Sequence, residues 1–136
     1  MSYAVAVALQ RGVYEVLQAD GALTALVGDA IYDHLPGGEV PEHYVSIGAE
    51  DVRDRSDQTG ALAEHRLIVS AVSAGEGFET AKAIAGAVTD ALVDANPVLT
   101  RGRIVAFRFM RARARRVRGR EARRIDLTFR AIVEDS

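Results

Sequence analysis

Apolar positions along this chain switch between a helical period and a strand period, and each switch marks an element. Tyr3, Ala6, Leu9, Val13, Val16 and Leu17 recur at helical spacing with Gln10, Arg11, Glu15 and Gln18 between them, which predicts an amphipathic helix ending near Asp20-Gly21. Ala22 to Val27 continue as a short helical turn stopped by Gly28-Asp29; Ile31 to Leu35 then predict a short strand, and Pro36-Gly37-Gly38 a loop. From Tyr44 to Val52 the period becomes two, with Val45, Ile47 and Ala49 on one face and Tyr44, Ser46 and Gly48 on the other. Arg53 to Gly60 has no apolar residue. It joins that strand to another, Leu62 to Ser73, whose inward set is Leu67, Val69 and Ala71, so an antiparallel pair with a polar, mobile tip is expected.

Ser73 and Glu76 have the spacing of a capping box, which predicts that Ser73 opens the next helix. Phe78, Ala81, Ile84, Ala85, Val88 and Leu92 mark its buried face, and Asn96-Pro97 stops it. The last third predicts a hairpin. Val105, Phe107 and Phe109 alternate on its first strand, Ile125, Leu127, Phe129, Ala131 and Val133 on its second, and Arg118-Gly119-Arg120 form the turn. The expected fold is therefore α+β: a mainly antiparallel sheet of about four to five strands with two main helices packed on one face.

A length of 136 residues fits one domain, residues 1–136, without internal repeats or a low-complexity linker. Tryptophan is absent and aromatics are scarce, so the core must be built from Ala, Val, Leu and Ile. The absence of cysteine removes disulfides, thiol nucleophiles and thiolate metal sites together. The apolar run from Met1 to Leu9 is interrupted by Gln10-Arg11, far short of a membrane span, and has no basic leader, so neither an anchor nor a signal peptide is expected.

A formal net charge of -2 hides a strong division by position. Before Arg101 the basic residues are Arg11, Arg53, Arg55, Arg66 and Lys82 against 15 acids, whereas from Arg101 onward 12 arginines face only Glu121, Asp126, Glu134 and Asp135. An acidic body with a basic C-terminal third suggests a polyanion partner or an oppositely charged neighbouring subunit.

Enzyme chemistry finds little support. His34, His43 and His65 with Asp33 match no closed zinc spacing and lack the i, i+4 helix offset, so no metal is expected. Glu50-Asp51 and Asp54 read as a solvated acidic edge rather than an acid/base set. Gly75-Glu76-Gly77 precedes a helix but lacks the lysine and further glycine of a phosphate loop, and no Gly-x-Ser-x-Gly elbow is present. No cofactor is implied.

The arginine series Arg108, Arg111, Arg113, Arg115, Arg116, Arg118, Arg120, Arg123 and Arg124 is the strongest chemical signal, and three readings stand beside one another. A hairpin with one buried face carries charge on the other. Clustered arginines also attract nucleic-acid phosphates without base specificity, although interleaved aromatics and a helix-turn-helix are missing. Finally, the basic hairpin of one copy could meet the acidic strand and loop of the next, a heterologous contact that closes a ring when repeated about an axis.

Order and spacing point in the same direction. Ile31-Tyr32-Asp33-His34 before a Pro-Gly turn, Tyr44-Val45-Ser46-Ile47-Gly48, Glu64-His65-Arg66-Leu67 feeding a helix with Ala81-Lys82, and the final strand pair from Gly102-Arg103-Ile104-Val105 resemble the tail completion or tail terminator proteins of long-tailed phages and gene transfer agents, over about Tyr3 to Val133. The turn from Arg115 to Arg120 is more arginine-rich than the acidic or Asp-Gly turn of that family. The resemblance implies a non-enzymatic virion protein that forms a ring of six copies on the head-proximal end of the tail tube, after residence in the producing cell's cytoplasm. Its implied partners are itself, the tail tube protein and the head-side connector, with DNA passing through the channel and no membrane. The residues expected to make subunit or partner contacts are Arg53, Asp54, Arg55, Asp57, Arg108, Arg111, Arg113, Arg115 and Arg116. The alternatives are a basic non-specific nucleic-acid-binding domain and a head-side connector or stopper of the same particle.

Overall fold

The computed structural model describes residues 2–35 and 37–136. Met1, and Pro36 at the start of the expected Pro-Gly loop, lie outside the described residues. The elements in chain order are α1 (Val5–Ala19), α2 (Gly21–Val27), β1 (Ile31–Tyr32), β2 (His43–Asp54), β3 (Leu62–Ala74), α3 (Glu79–Val93), β4 (Arg103–Arg116) and β5 (Ala122–Glu134). The strands form one sheet in the order β1-β2-β3-β5-β4, antiparallel except for the short β1·β2 pair, with helices on one face. The α+β expectation holds, with three helices rather than two.

Of the stripe that periodicity predicted, helix α1 buries Ala6, Leu9, Val13 and Leu17, with Val5 added; Val16 is half-buried, and Tyr3 precedes the helix and is exposed. It stops because Asp20 takes an extended backbone, and the Asp20 carboxylate accepts from the Leu23 amide at 2.9 Å to cap α2. Gly12 permits a close approach: a Cβ there would sit 2.9 Å from Leu99 Cδ2, so the segment after α3 can lie against α1. Helix α3 buries Ala81, Ile84, Ala85, Val88 and Leu92, and packs over β3 and β5. Under it, Val69, Ala71, Ile125, Leu127, Phe129, Ala131 and Val133 supply the sheet side of the core. Small residues on both sides let helix and sheet approach closely.

Four local expectations are corrected. The strand expected over Ile31 to Leu35 pairs only at Ile31 and Tyr32. Ser73 does not cap α3: it sits within β3, its hydroxyl 3.0 Å from His43 Nδ1, and the helix begins at Glu79 after Phe78, which makes no side-chain cap bond. The paired strands keep their backbone partners for longer than the capping pattern implied. Ala49 is exposed because the β2·β3 register shifts between Ile47 and Glu50, inserting one extra residue. Val105 is likewise turned out, 49% exposed, where the β4·β5 register shifts between Ile104 and Ala106.

Candidate functional site

The arginine strand β4 forms one edge of the sheet, and a second register shift decides where its charges point. Strict alternation from Phe107 and Phe109 would turn Arg111, Arg113 and Arg115 onto the helix-covered face. Between Phe109 and Arg111 the ladder skips Met110, so the parity reverses. Beyond it Ala112 and Ala114 stand opposite Leu127 and Ile125 on the helix side. Arg111, Arg113 and Arg115 stand opposite Thr128, Asp126 and Arg124 on the outer face, the face that Arg108 already shares with Arg130. Arg116 pairs with Arg123 at the hairpin end. Every residue from Arg108 to Arg116 is exposed: α3 touches β4 as well as β5 but leaves the side chains of this edge segment uncovered. A shallow groove of about 270 Å³ remains between α3 and β4, lined by Ala85, Gly86, Thr89, Phe109, Ala112 and Ala114 among others.

Two acids organise the outer face. Glu64 accepts from Arg130 Nε at 2.7 Å and Arg66 Nε at 3.2 Å, with Arg55 Nη1 at 3.6 Å. Its side chain is only 3% exposed where these arginines converge on the outer face. The Arg130 hydrogen bond, aided by the charges of Arg130, Arg66 and Arg55, holds the Glu64 carboxyl below its ordinary range against partial desolvation. Burial alone would raise Asp126, but hydrogen bonds from Ser70 (2.6 Å) and Arg124 (2.8 Å), with Arg115 at 3.3 Å, lower it. Among the described residues no ion pair engages Arg108, Arg111, Arg113 or Arg116. Those four guanidinium groups are thus available to a partner.

Arg123 departs from the rest of the series. It is 6% exposed, lies 5.3 Å over the Phe78 ring and donates to the Ala122 carbonyl, so it braces the approach to α3 instead of facing solvent. Its position opposite Ser73 and Arg116 on the helix side is the reason.

At the other edge β2 extends through Asp54, which makes Arg53 and Asp54 strand residues rather than part of a loop. The tip beyond is closed by its own polar groups. Asp57 Oδ1 accepts from Thr59 N at 2.8 Å, Thr59 Oγ1 at 2.7 Å and Gly60 N at 3.0 Å, and the Arg55 amide donates to the Leu62 carbonyl at 2.8 Å. Hydrogen bonds from Ser56 and Thr59 lower the carboxyls of Asp54 and Asp57, respectively. Polarity therefore gives this tip a definite turn, built from Asx-type bonds. The expected contact residues fall into two groups on opposite edges of the sheet: Arg53, Asp54, Arg55 and Asp57 at the β2 tip, and Arg108, Arg111, Arg113, Arg115 and Arg116 on β4.

The histidines do not gather. His43 meets Ser73, whereas His65, fully buried, lies 3.3 Å from Glu50 Oε2 with Nε2 unpartnered. Those two positions lie eight residues apart on β3, roughly 26 Å at strand rise. Among the described residues no group of His, Cys, Asp or Glu could hold a metal ion. A cleft of about 430 Å³ between α1 and β2 is lined by Tyr3, Arg11, Tyr14, Asp33 and Glu50 among others. Glu50 there accepts from the Tyr3 hydroxyl at 3.1 Å, which raises the Tyr3 pKa. Glu64, Glu50 and Asp126 were missed as organising residues at the level of sequence. Only the alternation of Glu64 and Arg66 on one strand face hinted at the first.

Charged groups thus neutralise one another on the sheet face and, among the described residues, stand free along its edges. The chain belongs to the tail completion protein gp17 family, whose match spans residues 11–134. It is a tail structural protein of the phage and gene-transfer-agent type. A chain in the solved virion of a native gene transfer agent particle is similar to it at 57% identity and a TM-score of 0.92, covering 98% of this chain and 99% of that one. No curated protein matches in sequence. No described helix is long and apolar enough to cross a membrane.

Proposed function

We propose that this protein terminates the tail. All 136 residues act as one wedge of a ring, six copies to the ring, seated on the head-proximal end of the tail tube. The ring stops tube polymerisation and presents a docking surface to the head-side connector, and the protein waits in the cytoplasm of the producing cell before assembly. The observation that carries this reading is the near-complete, two-way coverage of a gene-transfer-agent virion chain at 57% identity. A terminator must match the tube on one side and offer no tube-like surface on the other. Its role is mechanical, so no catalytic residue, metal or cofactor is called for.

The contact residues proposed for assembly are the two edge groups, with the free arginines of β4 toward one neighbour and the β2 tip toward the other. Deleting the gene and imaging the particles tests the function. Overlong or headless tails, restored by the intact gene, are expected. Particles with normal tails, or purified particles that lack the chain, would overturn the proposal. DNA in the channel is the competing role for the arginines. It requires that Arg111, Arg113, Arg115 and Arg116, changed together to Ser, leave tail length normal but reduce packaged DNA.

A further inference from the structure

We infer that neighbouring copies join by main-chain pairing, the free edge of β4 in one copy adding to the free edge of β2 in the next, so that the sheet continues around the ring. The inference rests on the ring reading above and specifies how its contact is made.

Four observations support it. Both edges are open: β1 pairs with β2 only at Val45 and Ser46, and among the described residues no backbone bond covers β2 beyond them or β4 on its outer side. Each open edge also contains an uninterrupted run. After its shift β2 is regular from Glu50 to Asp54, and after its second shift β4 is regular from Arg111 to Arg116. These runs have similar length and neither contains a proline or a bulge; the charge that would otherwise blunt each edge is of opposite net sign on the two.

The charges fit only in one combination. The β4 run carries Arg111, Arg113, Arg115 and Arg116 with no acid, whereas the β2 run carries Glu50, Asp51 and Asp54 against Arg53 alone. The two edges are opposite in net charge, with Asp51 beside Arg53 on the outer face and Glu50 and Asp54 on the helix side of β2, so two β4 edges repel each other while β4 and β2 attract. A twofold dimer through β4 is thereby disfavoured, and a heterologous contact, the kind that closes a ring, is favoured. The topology supplies the direction. Three antiparallel steps separate β2 from β4 within one subunit, so the two run oppositely, and head-to-tail repetition places β4 antiparallel to the next β2. The apolar helix-side positions Ala112 and Ala114, left exposed beside α3, would then continue toward Val52 of the neighbour.

The absence of native cysteine makes a clean test possible. Val52→Cys or Ala49→Cys is combined in turn with Ala112→Cys or Ala114→Cys, and assembled particles are treated with oxidant or a short thiol-bridging reagent. The monomer band should be lost to a ladder of covalent oligomers for at least one combination, and each single variant should remain monomeric on a denaturing gel. Assembled rings or normal tails without a cross-link in any combination would overturn edge pairing while leaving the ring intact. A dimer band from Ala112→Cys alone would overturn it in favour of β4 meeting β4. If the unmodified chain forms no ring, alone or with tube protein, the ring reading fails and edge pairing fails with it.

Discussion

The two strands of the final hairpin share an alternating sequence and a common register, yet they end in opposite environments. In β5 every odd position from Ile125 to Val133 is buried, with Phe129 wholly covered and stacked on Phe107 at 5.4 Å and near Phe109 at 5.8 Å. In β4 the helix-side positions Phe109, Ala112 and Ala114 stay exposed, and so do the arginines opposite them. The difference comes from place in the sheet. β5 has strands on both sides and α3 above it; β4 has one neighbour, and α3, although it touches β4 too, leaves its side chains exposed. Alternation tells which side chains share a face, but only the helix layer above the sheet decides whether that face is buried.

The sharpest way to break this comparison is to truncate the same side chain on both strands. Phe129→Ala should lose about 3–5 kcal/mol, because it opens a cavity under α3, whereas Phe109→Ala, 43% exposed, should lose about 0.5–1.5 kcal/mol. Urea or thermal unfolding measures both. Equal losses would show that β4 is covered in the free subunit after all.

A smaller effect is expected from Glu64, which joins β3 to β5 through Arg130 on the outer face. Its lowered pKa means that the stability it contributes is complete above the ordinary carboxylate value of about 4.3 and is lost as pH falls through the lowered folded value. Glu64→Gln should destabilise at neutral pH, less than Phe129→Ala does. It should also flatten the fall in the unfolding midpoint below about pH 4. An unchanged acid limb would remove Glu64 from the account.

The smallest effect on stability is expected on β4 itself. Arg111→Ser, Arg113→Ser and Arg116→Ser should each change it by under about 0.5 kcal/mol, since these side chains are exposed and have no ion pair among the described residues. Their effect should appear in association. Light scattering in the presence of tube protein should show oligomers that weaken as salt rises, because exposed charges are screened over about 8 Å at physiological ionic strength. The triple variant should associate less than the parent at low salt. Association indifferent to salt and to these changes would leave the β4 arginines as a solvated face.

The sequence by itself determined the elements and their partners in kind. The helical stripe of α1, the buried face of α3 and the odd positions of β5 are set by periodicity, because a period of 3.6 or 2 commits one face to burial wherever the element lies. It also set the acidic and basic halves, which are counts. The tertiary structure decided what depends on alignment between strands. One extra residue at Met110 turned Arg111, Arg113 and Arg115 outward, another near Gly48 left Ala49 exposed, and register brought Glu64 to Arg130 and Asp126 to Ser70 across long chain separations. A bulge leaves no period of its own in the sequence, and a cross-strand ion pair exists only once the register is fixed. The free arginines were therefore legible as a cluster, but the outer face shared by Arg108, Arg111 and Arg113, and the burial of Arg123 on the other side, came from the sheet.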